Sequence, residues 1–319
     1  MGLTVVVTDD YDAMSLKAAD MLIPHMYKKT GEYFRLGTAT GSSPTGLYNH
    51  IAERQGEFNP RRVITCGLDE YVGLPGNTAD ERSEHHSSYE AEMNRKLFSR
   101  TERPFLKTYM PPGSKIDAEK IDGCLENGEA ILEGTGNGKA VIAKKDLRKP
   151  SYMTEVEEQK SNYLELIGGG EVRIDCWVVG VGENGHIAMH EKGIPLHYRM
   201  VLVRLDQNTR ENAYKDGYFP NLDEVPIYAL SMGAGGVVEL SKTILLLASG
   251  DRKTEPLAKG LLDPETEDVP ISVVQRYIKK PTGNDTICVF DEVAAQEILE
   301  TKNLKRLAAK GIELEDMRS

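Results

Sequence analysis

Short runs rich in β-branched and aliphatic residues recur along the chain, each followed by a longer stretch in which apolar positions return at helical spacing. The runs fall at Leu3 to Val7, Arg62 to Cys66, Arg173 to Val179, Met200 to Arg204, Thr243 to Ala248 and Thr286 to Phe290. That alternation predicts an α/β fold, a doubly wound, mostly parallel Rossmann-like sheet with helices on both faces. Ligands of such sheets sit beyond the carboxyl ends of the strands, so the turns just after each strand are the places to look for chemistry.

One stretch departs from the alternation. From about residue 127 to 158 the chain is Gly-rich, then basic, then acidic, with no strong core-facing run. Within it, Glu129 to Glu133 and Lys139 to Ala143 flank Gly134-Thr135-Gly136-Asn137-Gly138, which reads as a β-hairpin inserted into a single domain spanning 1–319. Because it interrupts the alternation, the hairpin is expected to be dispensable for folding.

A chain of 319 residues with ordinary apolar content can bury one large core or two modest ones. The formal net charge of −11 excludes nucleic acid or an anionic membrane as the natural partner, since both call for a basic face. Any positive contact to an anionic ligand must then be local. No apolar run is long enough to span a bilayer, and the start Met1-Gly2-Leu3-Thr4 lacks the basic residues of a signal peptide. Cys66, Cys124, Cys176 and Cys288 are widely spaced, which favours buried free thiols over disulfides or a zinc site, and a cytoplasmic address.

Four turns carry candidate chemistry. Thr40-Gly41-Ser42-Ser43-Pro44 follows a short strand and precedes a helical pattern; Ser43 suits a helix cap and Pro44 the first helical position. Backbone N–H groups and serine hydroxyls left facing outward make a phosphate cradle, although an ordinary capped turn has the same letters. Leu68-Asp69-Glu70-Tyr71 ends another strand with two carboxylates. On extended backbone these face opposite ways, so only one of them can serve a given cleft as a base, and a solvated acidic pair is the plain alternative. Gly180-Val181-Gly182-Glu183-Asn184-Gly185-His186 leads to Met189-His190-Glu191-Lys192. Its glycines allow close approach to a ligand, and His186 is a proton carrier that Asn184 and Glu191 can orient. A metal on His186, His190 and Glu191 is the minor reading, since the spacing is not that of a metalloprotease helix. Finally Ser249-Gly250-Asp251-Arg252-Lys253 offers Lys253 to an anion.

Taken together, in order and over nearly the whole chain apart from the hairpin, these stretches resemble glucosamine-6-phosphate deaminases, within a wider family that includes phosphogluconolactonases and pentose-phosphate isomerases. The resemblance also runs through Asn208-Thr209-Arg210, Ala229-Leu230-Ser231-Met232-Gly233 and Asp268-Val269-Pro270-Ile271-Ser272, and Asp69-Glu70-Tyr71-Val72-Gly73-Leu74-Pro75 is its most discriminating segment. It implies that an amino-sugar phosphate loses ammonia with no metal or organic cofactor. In that reading Asp69 moves the proton from C2 to C1, His186 opens the ring, and Glu191 and Asn184 support it. Asn184 stands where some family members carry Asp. The same resemblance places Gly41, Ser42, Ser43, Lys253 and a further cation, Lys215, around the phosphate.

Two departures stand out: the hairpin, and Met189-His190-Glu191-Lys192 in place of the common Phe-Asn-Glu-Pro. The second implies that His190 and Lys192 tune specificity. Another activity of the same family and a non-catalytic sugar-phosphate sensor are the alternatives. The oligomeric state, a homo-oligomer included, is left open.

Overall fold

The computed structural model describes residues 2–27, 32–144, 151–168, 173–279 and 285–319. In chain order the strands are β1 (Leu3–Thr8), β2 (Phe34–Thr38), β3 (Val63–Gly67), β4 (Asp69–Val72), β5 (Lys107–Tyr109), β6 (Ala130–Glu133), β7 (Lys139–Ala143), β8 (Ile174–Val179), β9 (Met200–Arg204), β10 (Tyr228–Met232), β11 (Ser241–Ala248), β12 (Asp285–Asp291) and β13 (Glu313–Asp316). Eight of them form one sheet in the order β13-β1-β12-β11-β8-β2-β3-β5, every neighbouring pair parallel.

Both faces of its inner strands are buried, which is why most of these read as continuous apolar runs, while the edge strands β5 and β13 are largely exposed. Successive side chains still separate by face. Cys176, Val178, Leu245 and Leu247 pack with Met14, Leu22, Leu47 and Ile51 of the helices Tyr11–Met26 and Thr45–Glu53. Trp177, Val179, Ile244 and Leu246 pack with Met153, Val156, Leu257 and Leu261 of the helices Tyr152–Ile167 and Thr254–Leu262. The doubly wound arrangement follows from that period of two. Within it Trp177 is fully buried beside β2, and a Cβ on Gly37 would lie 2.1 Å from its ring, so only glycine fits there.

A second, antiparallel sheet has the order β4-β10-β9-β7-β6. It corrects the sequence reading in two respects. Met200 to Arg204 is a strand as expected, but it belongs to this sheet and not to the parallel one, because an apolar run says nothing about its pairing partner. The hairpin also forms where expected, as β6 and β7, yet β7 pairs with β9 through Lys139↔Arg204 and Val141↔Leu202. It therefore extends the second sheet instead of standing outside the fold, and the expectation that it is dispensable loses its basis. Downstream, the last residues assigned to the insert form the start of Tyr152–Ile167, whose Met153 and Val156 are buried; residues 145–150 lie outside those described.

Candidate active site

Four adjacent strands of the parallel sheet, β3, β2, β8 and β11, end at one crevice. A cavity of about 180 Å³ opens there, lined by the turn after β2, the start of β4, the loop after β8, one face of the helix Gln207–Lys215 and the turn after β11.

The turn after β2 is built around Gly41, whose φ of +100° is a left-handed value; nothing lies within 4 Å of the place a Cβ would take, so conformation and not crowding calls for glycine. Gly41, Ser42, Ser43 and Pro44 all line the cavity. Ser43 does not cap the following helix as expected. The helix Thr45–Glu53 has no side-chain cap, and the turn is closed instead by Thr45 Oγ1 donating to Gly41 O at 2.9 Å and by Thr45 N donating to Ser42 O at 3.1 Å. From behind, Lys96 Nζ donates to Gly41 O at 3.1 Å.

The two carboxylates at the start of β4 part as the strand geometry requires. Asp69 lines the cavity and is buried. Glu70 turns away and accepts from Tyr71 N (2.8 Å), Tyr89 N (3.0 Å), Glu90 N (2.9 Å) and Ser88 Oγ (2.9 Å), holding the N-terminus of the helix Tyr89–Lys96. Burial, reinforced by the charges of Glu70 and Glu92, pushes the Asp69 carboxyl up to about 8. Burial pushes Glu70 up to about 7 against its hydrogen bonds.

The loop after β8 places His186 against glycine. A Cβ on Gly182 would lie 2.2 Å from the imidazole, and Gly182 N donates to His186 O at 3.0 Å. Asn184 Oδ1 accepts from His186 N at 3.2 Å while its Nδ2 donates to Glu191 Oε2 at 3.1 Å, so its two ends tie the loop to the carboxylate. Glu191 is fully buried and also accepts from Asp206 N at 3.2 Å. His186 Nδ1 stands 3.8 Å from Glu191 Oε2, within ion-pair range and beyond hydrogen-bonding distance. Burial raises the Glu191 carboxyl, but His186, Thr209 and the Asp206 N–H together hold it below the usual carboxylate range. His186 lines the cavity; Asn184 and Glu191 stand behind it.

His190 and Lys192 are not where a specificity role would put them. His190 is fully buried outside the cavity, its Nε2 bonded to Ile194 O (3.1 Å) and its Nδ1 accepting from Ala234 N (3.2 Å). With both ring nitrogens committed, it has no lone pair for a metal, and among the described residues no group of metal-ligating side chains is assembled. Lys192 is exposed.

Lys253 lines the cavity, carried on a turn fixed by Asp291, which accepts from Ser249 Oγ and from Gly250 N at 3.1 Å. Burial lowers the affinity of its amine for a proton. Lys215 does not reach the cavity; it is exposed and stands 3.7 Å from Glu211. Thr209, Asn212, Ala213 and Asp216 form the lining face at helical spacing, and position 215 falls off it. The second cation at the cavity is Arg252, overlooked in the sequence although it adjoins Lys253. Its guanidinium bonds to Glu183 Oε1 at 2.6 Å and stands 3.7 Å from Asp216 Oδ1. Tyr71, Tyr89 and Tyr218, also unforeseen, complete the wall beside Asp69.

Proteins named glucosamine-6-phosphate deaminase from Geobacillus sp. (strain WCH70) and Clostridioides difficile (strain 630) are 31% and 30% identical to this chain, over 86% and 93% of its length and 90% and 97% of theirs. The chain belongs to the glucosamine-6-phosphate deaminase family. A solved monomeric glucosamine-6-phosphate deaminase matches it with a TM-score of 0.68 at 26% identity, over 92% of this chain and 100% of that one. A 6-phosphogluconolactonase from Trypanosoma brucei shares the fold, with a TM-score of 0.59 at 13% identity over 93% of this chain and 98% of that one. No family model matches. The deaminase family's α/β fold is thus the one the alternation of strands and helices foretold.

Proposed function

We propose that the chain is an enzyme converting glucosamine 6-phosphate and water to fructose 6-phosphate and ammonia. The observation that carries this reading is a buried carboxylate, Asp69, sharing one small cavity with a His186–Glu191 pair and a cradle of Gly41, Ser42, Ser43 and Lys253.

The phosphate binds the turn after β2 and the Lys253 ammonium. His186, charge-supported by Glu191 and held by Asn184, moves the proton that opens the sugar ring to its aldehyde. That carbonyl acidifies the C2 proton, and Asp69 takes it and returns it to C1, leaving an imine at C2. Water adds to the imine carbon, the C–N bond breaks, and ammonia leaves with the ketose phosphate. Ring opening, the shift of the C2 proton, water addition and loss of ammonia are all driven by proton transfer, and none requires a metal or an organic cofactor. A carboxyl poised near 8 suits a base that must both accept and return a proton.

The placement in the cytoplasm and in amino-sugar breakdown goes with this reading. The four buried free thiols support the first and the deaminase relatives the second. The test is a panel of amino-sugar phosphates, a sugar-phosphate lactone and a plain aldose phosphate. Ammonia and ketose phosphate released in equal amounts from glucosamine 6-phosphate are expected. Faster turnover of the lactone or of the aldose phosphate would move the chain to another activity of the fold, and binding without turnover would make it a sensor.

A further inference from the structure

Glu191 is covered by the hairpin. Thr135 N in its tip donates to Gly193 O at 2.9 Å, Lys139 Nζ closes the tip onto Gly134 O at 2.8 Å, and Tyr198 Oη bonds to Glu133. Gly193 N also donates to Glu267 O at 2.7 Å, so three chain segments meet at residues 191–193. The fit leaves no room for a side chain on either glycine: a Cβ on Gly136 would lie 2.0 Å from the backbone Lys192 O, and a Cβ on Gly138 would lie 2.6 Å from both side-chain Cβ and Cγ of Glu191. Neither glycine has a left-handed φ, so any residue could adopt the backbone there, and close approach is what excludes a side chain.

The contact falls on the near end of the Glu191 side chain, which cannot swing aside as a flexible tip would. Its far end faces Asn184 and His186 from the loop after β8, the Asp206 N–H ahead of the helix Gln207–Lys215, and Thr209 on that helix. Of the other charged groups nearby, the Asp206 carboxylate is turned to cap Asn208 N at 2.9 Å, His190 is buried with both nitrogens bonded, and Lys192 points to solvent. Gly138 therefore acts as a backstop on one side of Glu191, with Asn184 and His186 on the other.

Taking His186–Glu191 as the ring-opening unit proposed above, we propose that the hairpin tip, residues 134–138, is a positioning element of the active site that presses Glu191 toward His186 and Asn184. An insertion into the sheet thereby becomes a part of the catalytic apparatus supplied by this chain itself.

Gly138→Ala tests it, with Gly123→Ala as control because no atom lies within 4 Å of the place its Cβ would take. A ¹³C NMR titration of the Glu191 carboxylate, run without substrate, is expected to move up by about one pH unit in Gly138→Ala, since a displaced carboxylate keeps its burial and loses its partners. In the same variant kcat for glucosamine 6-phosphate is expected to fall about tenfold with KM within about twofold, part of what an acid–base group contributes. In a Glu191→Gln background, Gly138→Ala should add no further loss of kcat. Gly123→Ala should match the parent throughout.

An unmoved Glu191 titration, or a kcat loss that persists undiminished in the Glu191→Gln background, overturns the assignment. Should Gly138→Ala not fold, Gly136→Ala, which pushes on Lys192 and Gly193, is read in the same way; failure of both to fold shows the tip to be core structure and also overturns it. Absence of ammonia release by the parent, with the titration shift intact, would strike the proposed function and leave the positioning contact standing.

Discussion

Asp69 and Glu70 differ by one methylene and one position, and the backbone gives them unrelated duties. Strand geometry alone left open which of the two faces the cavity, because a strand-end pair fixes opposition but not direction; the family resemblance implied Asp69. Asp69→Asn is expected to lower kcat by about 10²–10⁴ with KM little changed, as the amide keeps the shape and cannot take a proton; single-turnover assays that find near-parent rates would remove Asp69 as the base. At the phosphate end, Lys253→Ala and Arg252→Ala should each raise KM about tenfold or more while leaving kcat near the parent, because a contact made equally in ground and transition states appears in KM. Lys215→Ala should change neither constant. Steady-state kinetics on all three variants decides it, and a raised KM for Lys215→Ala alone would reinstate the sequence-based assignment. Arg252 was missed because Glu183 and Asp216, which bring it to the cavity mouth, are remote from it in sequence.

At the scale of elements, the strand–turn–helix alternation was legible because the inner strands of the parallel sheet are buried on both faces, and continuous aliphatic runs announce that. The second sheet was legible in its strands β6, β7 and β9 but not as a sheet. Asp69–Val72 is four residues long and begins with two acids, and Tyr228–Met232 is wholly buried with no alternation to mark it. The loop from His186 to Lys192 was legible as a functional motif but not in its orientation, since nothing local shows that His190 points into the core. Its burial between Ile194 O and Ala234 N makes it a structural link joining the loop to the start of the helix Ala234–Leu240. His190→Ala is therefore expected to destabilise the fold by about 1–3 kcal/mol, the cost of leaving a buried donor and acceptor unpaired, without altering the relative kcat/KM among amino-sugar phosphates. Denaturant unfolding alongside the substrate panel checks both halves; an unchanged midpoint with a changed preference would return His190 to the pocket.

For the molecule as a whole, the groups that make the site work set how its stability varies with pH. Asp69 at about 8 and Glu70 at about 7 keep protons in the folded chain that the unfolded chain releases near pH 4. Stability from these groups is therefore full at low pH and falls as pH rises from about 4 to about 8; the half-buried Glu90, also raised by burial, acts in the same sense. His190, pushed down to about 4 by burial, acts oppositely: its contribution is full above about 6.5 and is lost as pH falls toward 4, with His85 adding to it. Between about 4 and 6.5 the two tendencies offset each other, and above 6.5 the raised carboxyls act without the histidines. Glu191, held low, matters only in more acidic solution. The parent's Tm is thus expected to decline from pH 6.5 to 8.5, the interval over which kcat/KM rises as Asp69 loses its proton and becomes the base. Asp69→Asn removes the largest part of that decline, so the inactive variant should melt above the parent at pH 8.5 and close to it at pH 5. Calorimetric scans of both proteins at the three pH values measure this, and parallel Tm curves for parent and variant would show that Asp69 does not carry its proton into the neutral range.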